Sequence, residues 1–333
     1  MIPRIQSPEQ RPSWQNLLAQ AINSTDELLR ILEIDPSRLK TRLLDNKFPL
    51  RVPLGFVQRM RKGDCRDPLL LQVLPVKEEA QTAAGFVPDP LEELDSMPVP
   101  GLLHKYQGRA LLTATGACAI HCRYCFRRHF PYADANPLAD QWQQSINYIA
   151  QHSDVNELIL SGGDPLTLTD ARLHSLTRQL AGIRHLRTLR IHSRLPVVLP
   201  ERIDAGLLSW LEAQHLQVVM VIHCNHPNEI DADVSAAMTR LRQAGVTLLN
   251  QSVLLRGIND NAATLIRLSE QLFAASVLPY YLHQLDKVEG AAHFEVDATL
   301  ARQLLAEVAA SLPGYLVPRL VHEIAGMPGK TAF

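Results

Sequence analysis

From residue 109 onward, apolar positions recur in short β-rich runs, at 110–115, 157–160, 186–191, 217–222, 246–251 and 277–282. Helical patterns separate or follow them, at 142–151, 170–180, 205–214, 233–244, 262–275 and 299–310. Six strand–helix units predict a parallel sheet with right-handed crossovers. Runs that are apolar on both faces fit strands covered by helices. Six units are too few to close an eight-fold barrel, so the expected fold is α/β, an open partial (βα)6 barrel. A seventh run, 315–321, is expected to add an edge strand.

The first hundred residues lack this rhythm and read as a helical extension. Residues 14–22 are amphipathic. Ser24-Thr-Asp-Glu27 has the form of a capping box, opening a helix to about Ile34. Asp35-Pro36 ends it, because a residue before proline resists the α region. Residues 51–60 predict another short helix. Pro75, Pro88, Pro90, Pro98 and Pro100, with Gly85 and Gly101, then mark a wrapping segment and not a second core. The expected division is an extension over 1–100, a barrel over 101–314, and a C-terminal edge strand with a functional segment over 315–333.

Composition narrows the function classes. The 333 residues are 46% hydrophobic, ordinary for a chain that buries a core. A net charge of −1 gives no electrostatic case for nucleic acid. No apolar run reaches the roughly 18 residues that span a bilayer. Residues 1–7 show no secretory core. An odd count of five cysteines without such a signal argues for a reducing cytoplasm.

Three of those cysteines fall together as Cys118-x3-Cys122-x2-Cys125. Thiolates so spaced can hold three irons of a cubane cluster and leave the fourth iron open for chemistry. The plainer reading is three structural cysteines, or half of a zinc site that lacks a second cysteine pair. The loop follows the first strand of the rhythm. Ser161-Gly-Gly-Asp164, Ser193-Arg194, His223-Cys-Asn-His226, Asn250-Gln-Ser252 and His283-Gln-Leu-Asp286 lie at the ends of the next five. Functional loops of such sheets sit at the C-terminal ends of the strands, so all of these share one rim.

The cysteine triad with the Gly-Gly-Asp rim resembles the radical S-adenosylmethionine superfamily. With Cys125-Phe-Arg-Arg128, Arg194-Leu-Pro-Val-Val-Leu-Pro200, Asn225-His-Pro-Asn-Glu229, Asn250-Gln-Ser-Val-Leu-Leu-Arg-Gly257 and Gly329-Lys-Thr331, the chain resembles lysine 2,3-aminomutases over about residues 50–333. The likeness is to the short bacterial branch, which supplies (R)-β-lysine for modifying a lysine of translation elongation factor P.

That resemblance implies three cofactors and a role for each motif. Cys118, Cys122 and Cys125 would hold a [4Fe–4S] cluster. S-adenosylmethionine would lie against Gly162, Gly163, Asp164, His223 and Gln251, the glycines letting the backbone approach it closely. Lys330 would form the Schiff base with pyridoxal 5′-phosphate. Lys105, Arg109 and Arg194 are candidates for its phosphate, with Tyr106 beside its ring. Arg127 suits the substrate α-carboxylate. Asp286 and Glu323 would face the ε-ammonium of L-lysine. Read alone, Gly-Gly-Asp is a strand-to-helix turn, His223 a packed histidine, Arg109 a strand-edge charge, and Lys330 a solvated side chain.

The chain departs from the family pattern in two places. Glu323 stands where an aspartate is expected, which moves the carboxylate by about one C–C bond. Larger members continue past the cofactor lysine into a zinc-binding tail, whereas this sequence stops three residues after Lys330, so the resemblance does not carry their zinc-tied oligomer over to this chain. An external one-electron reductant is implied, with β-lysine passed to a separate elongation factor P ligase and no direct contact required. Two other functions are open at this point. One is a radical enzyme of the same scaffold acting on another amino acid, and the other is a non-catalytic iron–sulfur protein.

Overall fold

The computed structural model describes residues 13–39, 48–133, 142–327 and 329–332. Residues 1–7 lie outside that set. One nine-stranded sheet organises the molecule, its strands neighbouring one another in chain order. They are β1 Leu102–Tyr106, β2 Arg109–Thr115, β3 Glu157–Gly162, β4 Thr188–Ser193, β5 Gln217–His223, β6 Thr247–Val253, β7 Leu278–His283, β8 Arg319–His322 and β9 Thr331–Ala332. β2 through β8 are parallel, so the six expected strands and the expected edge strand are all present. Two antiparallel strands were not anticipated. β1 pairs back on β2, and β9 on β8. The sheet stays open, with β1 and β9 as its edges.

In chain order the helices are α1 Trp14–Ala19, α2 Thr25–Ile31, α3 Leu54–Val57, α4 Gln143–Gln151, α5 Asp170–Leu180, α6 Leu195–Val198, α7 Ala205–Glu212, α8 Ala232–Gln243, α9 Ala262–Ala274 and α10 Ala298–Ser311. Short polar side chains fix where the barrel helices begin. Thr169, Asp204, Asp231, Asn261 and Asp297 each accept a backbone N–H in the first turn that has no helical partner. Ser24 accepts from Glu27 N in the same way, and α2 ends at Ile31, earlier than the proline stop implies. The 51–60 segment is helical only over α3. No helix among the described residues is long and apolar enough to cross a membrane.

The strands are not apolar on both faces, which corrects the sequence expectation. β4 shows why. Leu189 and Ile191 are buried on the outer face, and Leu189 belongs with Leu173, Leu176 and Leu207 to one apolar cluster. Arg190 and His192, on the opposite pleat, line a cavity inside the curve of the sheet. The extension belongs to the same core: Trp14, Leu28, Phe56, Leu69 and Leu74 share that cluster with barrel residues. It also grips the cysteine loop. Arg123 N donates to Gln72 O, and the Arg123 guanidinium donates to Glu79 at 2.9 and 2.5 Å.

Candidate active site

Every residue given a cofactor or substrate role by the resemblance lines one cavity of about 440 Å³ inside the curve of the sheet, which reaches from Arg109 at the start of β2 to the loops at the C-terminal ends of the parallel strands. The residues fall into two groups, one at the cysteine loop and one where the two edges of the sheet approach each other.

The cysteine loop, 116–128, runs on directly from β2. Its first turn lies against the end of β3. Gly163 N donates to Thr115 O and Asp164 N to Ala117 O, both at 2.7 Å. A Cβ on Gly162 would stand 2.5 Å from Thr115 O, and one on Gly163 would stand 2.3 Å from Ala117 O. Gly162 also has φ +110, a conformation that glycine tolerates. A close approach that demands these glycines is therefore made by the backbone leading into the cysteine loop. Asp164 likewise works inside the protein. Its carboxylate accepts from Ser193 Oγ and from the backbone N–H groups of Leu166, Arg194 and Leu195, at 2.7 to 3.1 Å. Burial pushes it up to about 6 against the pull of those donors.

Cys118, Cys122 and Cys125 all line the cavity. Burial, then the neighbouring charge of Cys122, pushes the Cys125 thiol up to about 11. Burial, then the charges of Cys125 and Asp164, hold the Cys118 thiol well above its ordinary range. Buried thiols such as those of Cys118 and Cys125 resist ionisation unless a cation joins them, which fits an iron–sulfur site. Among the described residues no three His, Cys, Asp or Glu side chains converge on a point as a single ion requires.

Arg194, a candidate for the cofactor phosphate, has its guanidinium on the cysteine loop in this structure. Its Nη1 donates to Cys122 Sγ at 2.7 Å, and its Nη2 to Gln72 Oε1 at 2.6 Å and Glu229 Oε2 at 3.0 Å. His223 lies alongside, its Nε2 2.8 Å from the Tyr124 hydroxyl. Burial, followed by the Arg194 charge, holds His223 well below its ordinary range. Gln251, two residues before the end of β6, lies on the same wall.

The second group gathers where β1 and β9 come close. Glu323, just past β8, receives Lys330 Nζ on Oε2 at 3.1 Å and Lys105 Nζ on Oε1 at 3.3 Å. Tyr106 also donates to Glu323. Burial pushes Glu323 up, but the two ammoniums and these hydrogen bonds outweigh it and hold the carboxyl at about 2. The Arg109 guanidinium lies 4.6 Å over the Tyr106 ring, and Lys330 Nζ lies 5.8 Å from the centre of the Tyr281 ring. A lysine amine, a cationic group and aromatic faces around one cavity suit a phosphorylated aromatic aldehyde. Asp286 faces the same space. Burial pushes it up to about 7, the Lys330 charge opposes this, and Glu323 and Glu93 add to it.

Arg127 lies in the cavity wall, but its fork is engaged. Nε and Nη2 donate to both oxygens of Glu93 at 2.7 and 2.8 Å, and Nη1 to Ser161 Oγ at 3.0 Å. An incoming carboxylate therefore meets the end-on edge of the guanidinium, because Glu93 holds the side-on edge. Glu93 escaped sequence reading because the proline-rich segment has no periodicity. Arg190, His192 and Tyr281 were also missed, although the i, i+2 spacing of Arg190 with His192 on β4 and of Tyr281 with His283 on β7 is a readable signal for one inward face. Arg190 is tied to Glu157 at 3.1 and 2.5 Å.

Comparison with known proteins adds to this geometry. Residues 112–268 match the model of the Radical SAM superfamily. The L-lysine 2,3-aminomutase of Escherichia coli is 52% identical over 323 residues, 96% of this chain and 94% of the relative. That of Haemophilus influenzae is 48% identical over 323 residues, 96% and 95% of the two chains. The longer L-lysine 2,3-aminomutase of Fusobacterium nucleatum is 39% identical over 327 residues, 97% of this chain and 76% of its own length.

Proposed function

Because the chain belongs to the L-lysine 2,3-aminomutase family within the radical SAM superfamily, we propose that it converts L-α-lysine to (R)-β-lysine. Membership makes it an isomerase of the aminomutase type and implies a [4Fe–4S] cluster, S-adenosylmethionine and pyridoxal 5′-phosphate as cofactors. The observation that carries the substrate reading is one cavity lined by the cysteine loop, by Lys330 from the opposite edge of the sheet, and by Asp286 and Glu323.

When bound, the cluster with S-adenosylmethionine supplies an electron and a hydrogen-abstracting radical, and pyridoxal phosphate supplies the carbonyl carbon that carries the migrating nitrogen. The residues of the chain bind, orient and shield. Cys118, Cys122 and Cys125 hold the cluster. Gly162 and Gly163 let the cysteine loop seat closely on β3, and Asp164 locks the rim by tying it to Ser193 and Arg194. His223 and Gln251 form the adjoining wall for S-adenosylmethionine. Lys330 binds pyridoxal phosphate through Nζ, with Tyr106 beside the ring and Lys105 and Arg109 toward the phosphate.

Substrate lysine is held at both ends. The end-on edge of Arg127 takes the α-carboxylate. Asp286 offers the carboxylate for the ε-ammonium, with Glu323 next to it. Two carboxylates near one cation favour lysine over neutral amino acids of similar length. Burial of the groups around the cavity keeps water from the radical.

We further propose that the β-lysine goes to a separate ligase that modifies translation elongation factor P. Its support is the run of motifs shared with the short bacterial branch. A reductant outside the chain supplies single electrons. A cluster that takes up single electrons suits a reducing compartment, which supports a cytoplasmic reading. The test is anaerobic reconstitution with all cofactors and L-lysine. 5′-Deoxyadenosine should form only with the triad intact, and borohydride should fix pyridoxal phosphate on the peptide carrying Lys330. Absence of both would remove the reading.

A further inference from the structure

Arg194 is a buried guanidinium in direct contact with a cysteine of the triad. Its Nη1 donates to Cys122 Sγ at 2.7 Å, and its other contacts hold it there. Nη2 bonds Gln72 Oε1 and Glu229 Oε2, its backbone N–H bonds Asp164 at 2.8 Å, and Nε is buried without a partner. Glu229 is fully buried, and its other oxygen accepts from Gln72 Nε2, Asn225 N and His226 N at 3.0 to 3.1 Å. The guanidinium packs 5.4 Å over Phe56 and 5.8 Å over Tyr124. This is a held cation whose N–H points at sulfur.

A donor to a cluster ligand draws electron density from it and favours the reduced state, and such bonds are among the determinants of iron–sulfur potentials. We propose that Arg194 is a positioning residue that raises the reduction potential of the cluster through its bond to Cys122 Sγ, and that Glu229 moderates this effect by partly neutralising Arg194. The inference rests on the reading of Cys122 as a cluster ligand. The step concerned is the gain of one electron by the cluster from an outside reductant, with no bond made or broken.

The test is a reductive titration of the anaerobically reconstituted full chain with dithionite and mediators, followed by the paramagnetic signal of the reduced cluster. S-Adenosylmethionine and lysine are left out, and iron and sulfide are counted for each variant. Arg194→Gln should be about tenfold harder to reduce, a fall of about 59 mV for one electron. Glu229→Gln should shift the opposite way, and Arg194→Lys should fall between Arg194→Gln and the unchanged chain. Should Arg194→Gln lose its cluster, the other two variants carry the comparison. Unchanged potentials at full iron content would overturn the proposal, as would weaker S-adenosylmethionine binding at an unchanged potential. A full cluster in Cys122→Ala would instead remove the ligand reading on which the proposal stands.

Discussion

Lys330 Nζ donates to Glu323 Oε2 at 3.1 Å, and Lys105 from the far edge of the sheet occupies the other oxygen of the same carboxylate. One side chain thereby joins the two ends of an open sheet at Lys330, the lysine proposed to hold the cofactor. With its carboxyl held at about 2, Glu323 titrates below an unfolded glutamate, so its stabilising effect is present above about pH 4.5 and lost as pH falls toward 2. Glu323→Gln leaves two half-buried ammoniums facing an amide. It should cost about 1–3 kcal/mol at neutral pH, read by thermal unfolding of the cofactor-free protein, with the difference shrinking as pH falls through that window.

Asp286 has the opposite sign. Its folded carboxyl titrates near 7, above the unfolded value, so the unfolded chain loses this proton first as pH rises. The contribution of Asp286 to stability is complete below about pH 4 and is lost on the way to pH 7. Asp286→Asn should therefore stabilise the ligand-free protein by roughly 1–2 kcal/mol at pH 8 and by little at pH 4. The same variant should bind lysine poorly. In the unchanged protein, lysine affinity should strengthen as pH rises through 7, and Asp286→Asn should remove that dependence in equilibrium binding.

Glu93 fixes how Arg127 meets a ligand. Glu93→Gln keeps the volume but weakens two charge-assisted bonds, freeing the guanidinium to turn. We expect KM for lysine to rise about tenfold with a smaller change in kcat, the signature of lost ground-state positioning. An equal fall in kcat and kcat/KM would place Glu93 in the chemical step instead.

Gly163 is where the rim meets the cysteine loop. Gly163→Ala puts a methyl group 2.3 Å from Ala117 O, and neither backbone has room to yield without moving the loop. Iron and sulfide per chain after reconstitution should fall well below the unchanged protein, while far-ultraviolet circular dichroism stays near native. Full iron content in Gly163→Ala would show that the loop tolerates the shift.

The parallel strands and the shared rim were legible because each strand end carries a polar motif and each following helix a short polar cap. β1 was missed although Gly108, at φ +80 in the two-residue turn before β2, is a hairpin signal. Two-residue β9 is too short for any pattern. The division of the cavity was not legible. Position at a strand end says that Arg194 reaches the rim, but not whether it turns toward cysteine or phosphate. That choice is made by Gln72 and Glu229, which lie 122 and 35 residues away in the chain. The grip of Glu93 on Arg127 is likewise a tertiary pairing without a local trace.

The most direct test of the account is chiral analysis of the amino acids recovered after anaerobic incubation of the reconstituted protein with L-lysine, S-adenosylmethionine, pyridoxal phosphate and reductant. The account predicts (R)-β-lysine, absent when Lys330 is alanine or when any of Cys118, Cys122 or Cys125 is replaced. Recovery of α-lysine alone, from protein with a full cluster and covalently bound pyridoxal phosphate, would contradict it.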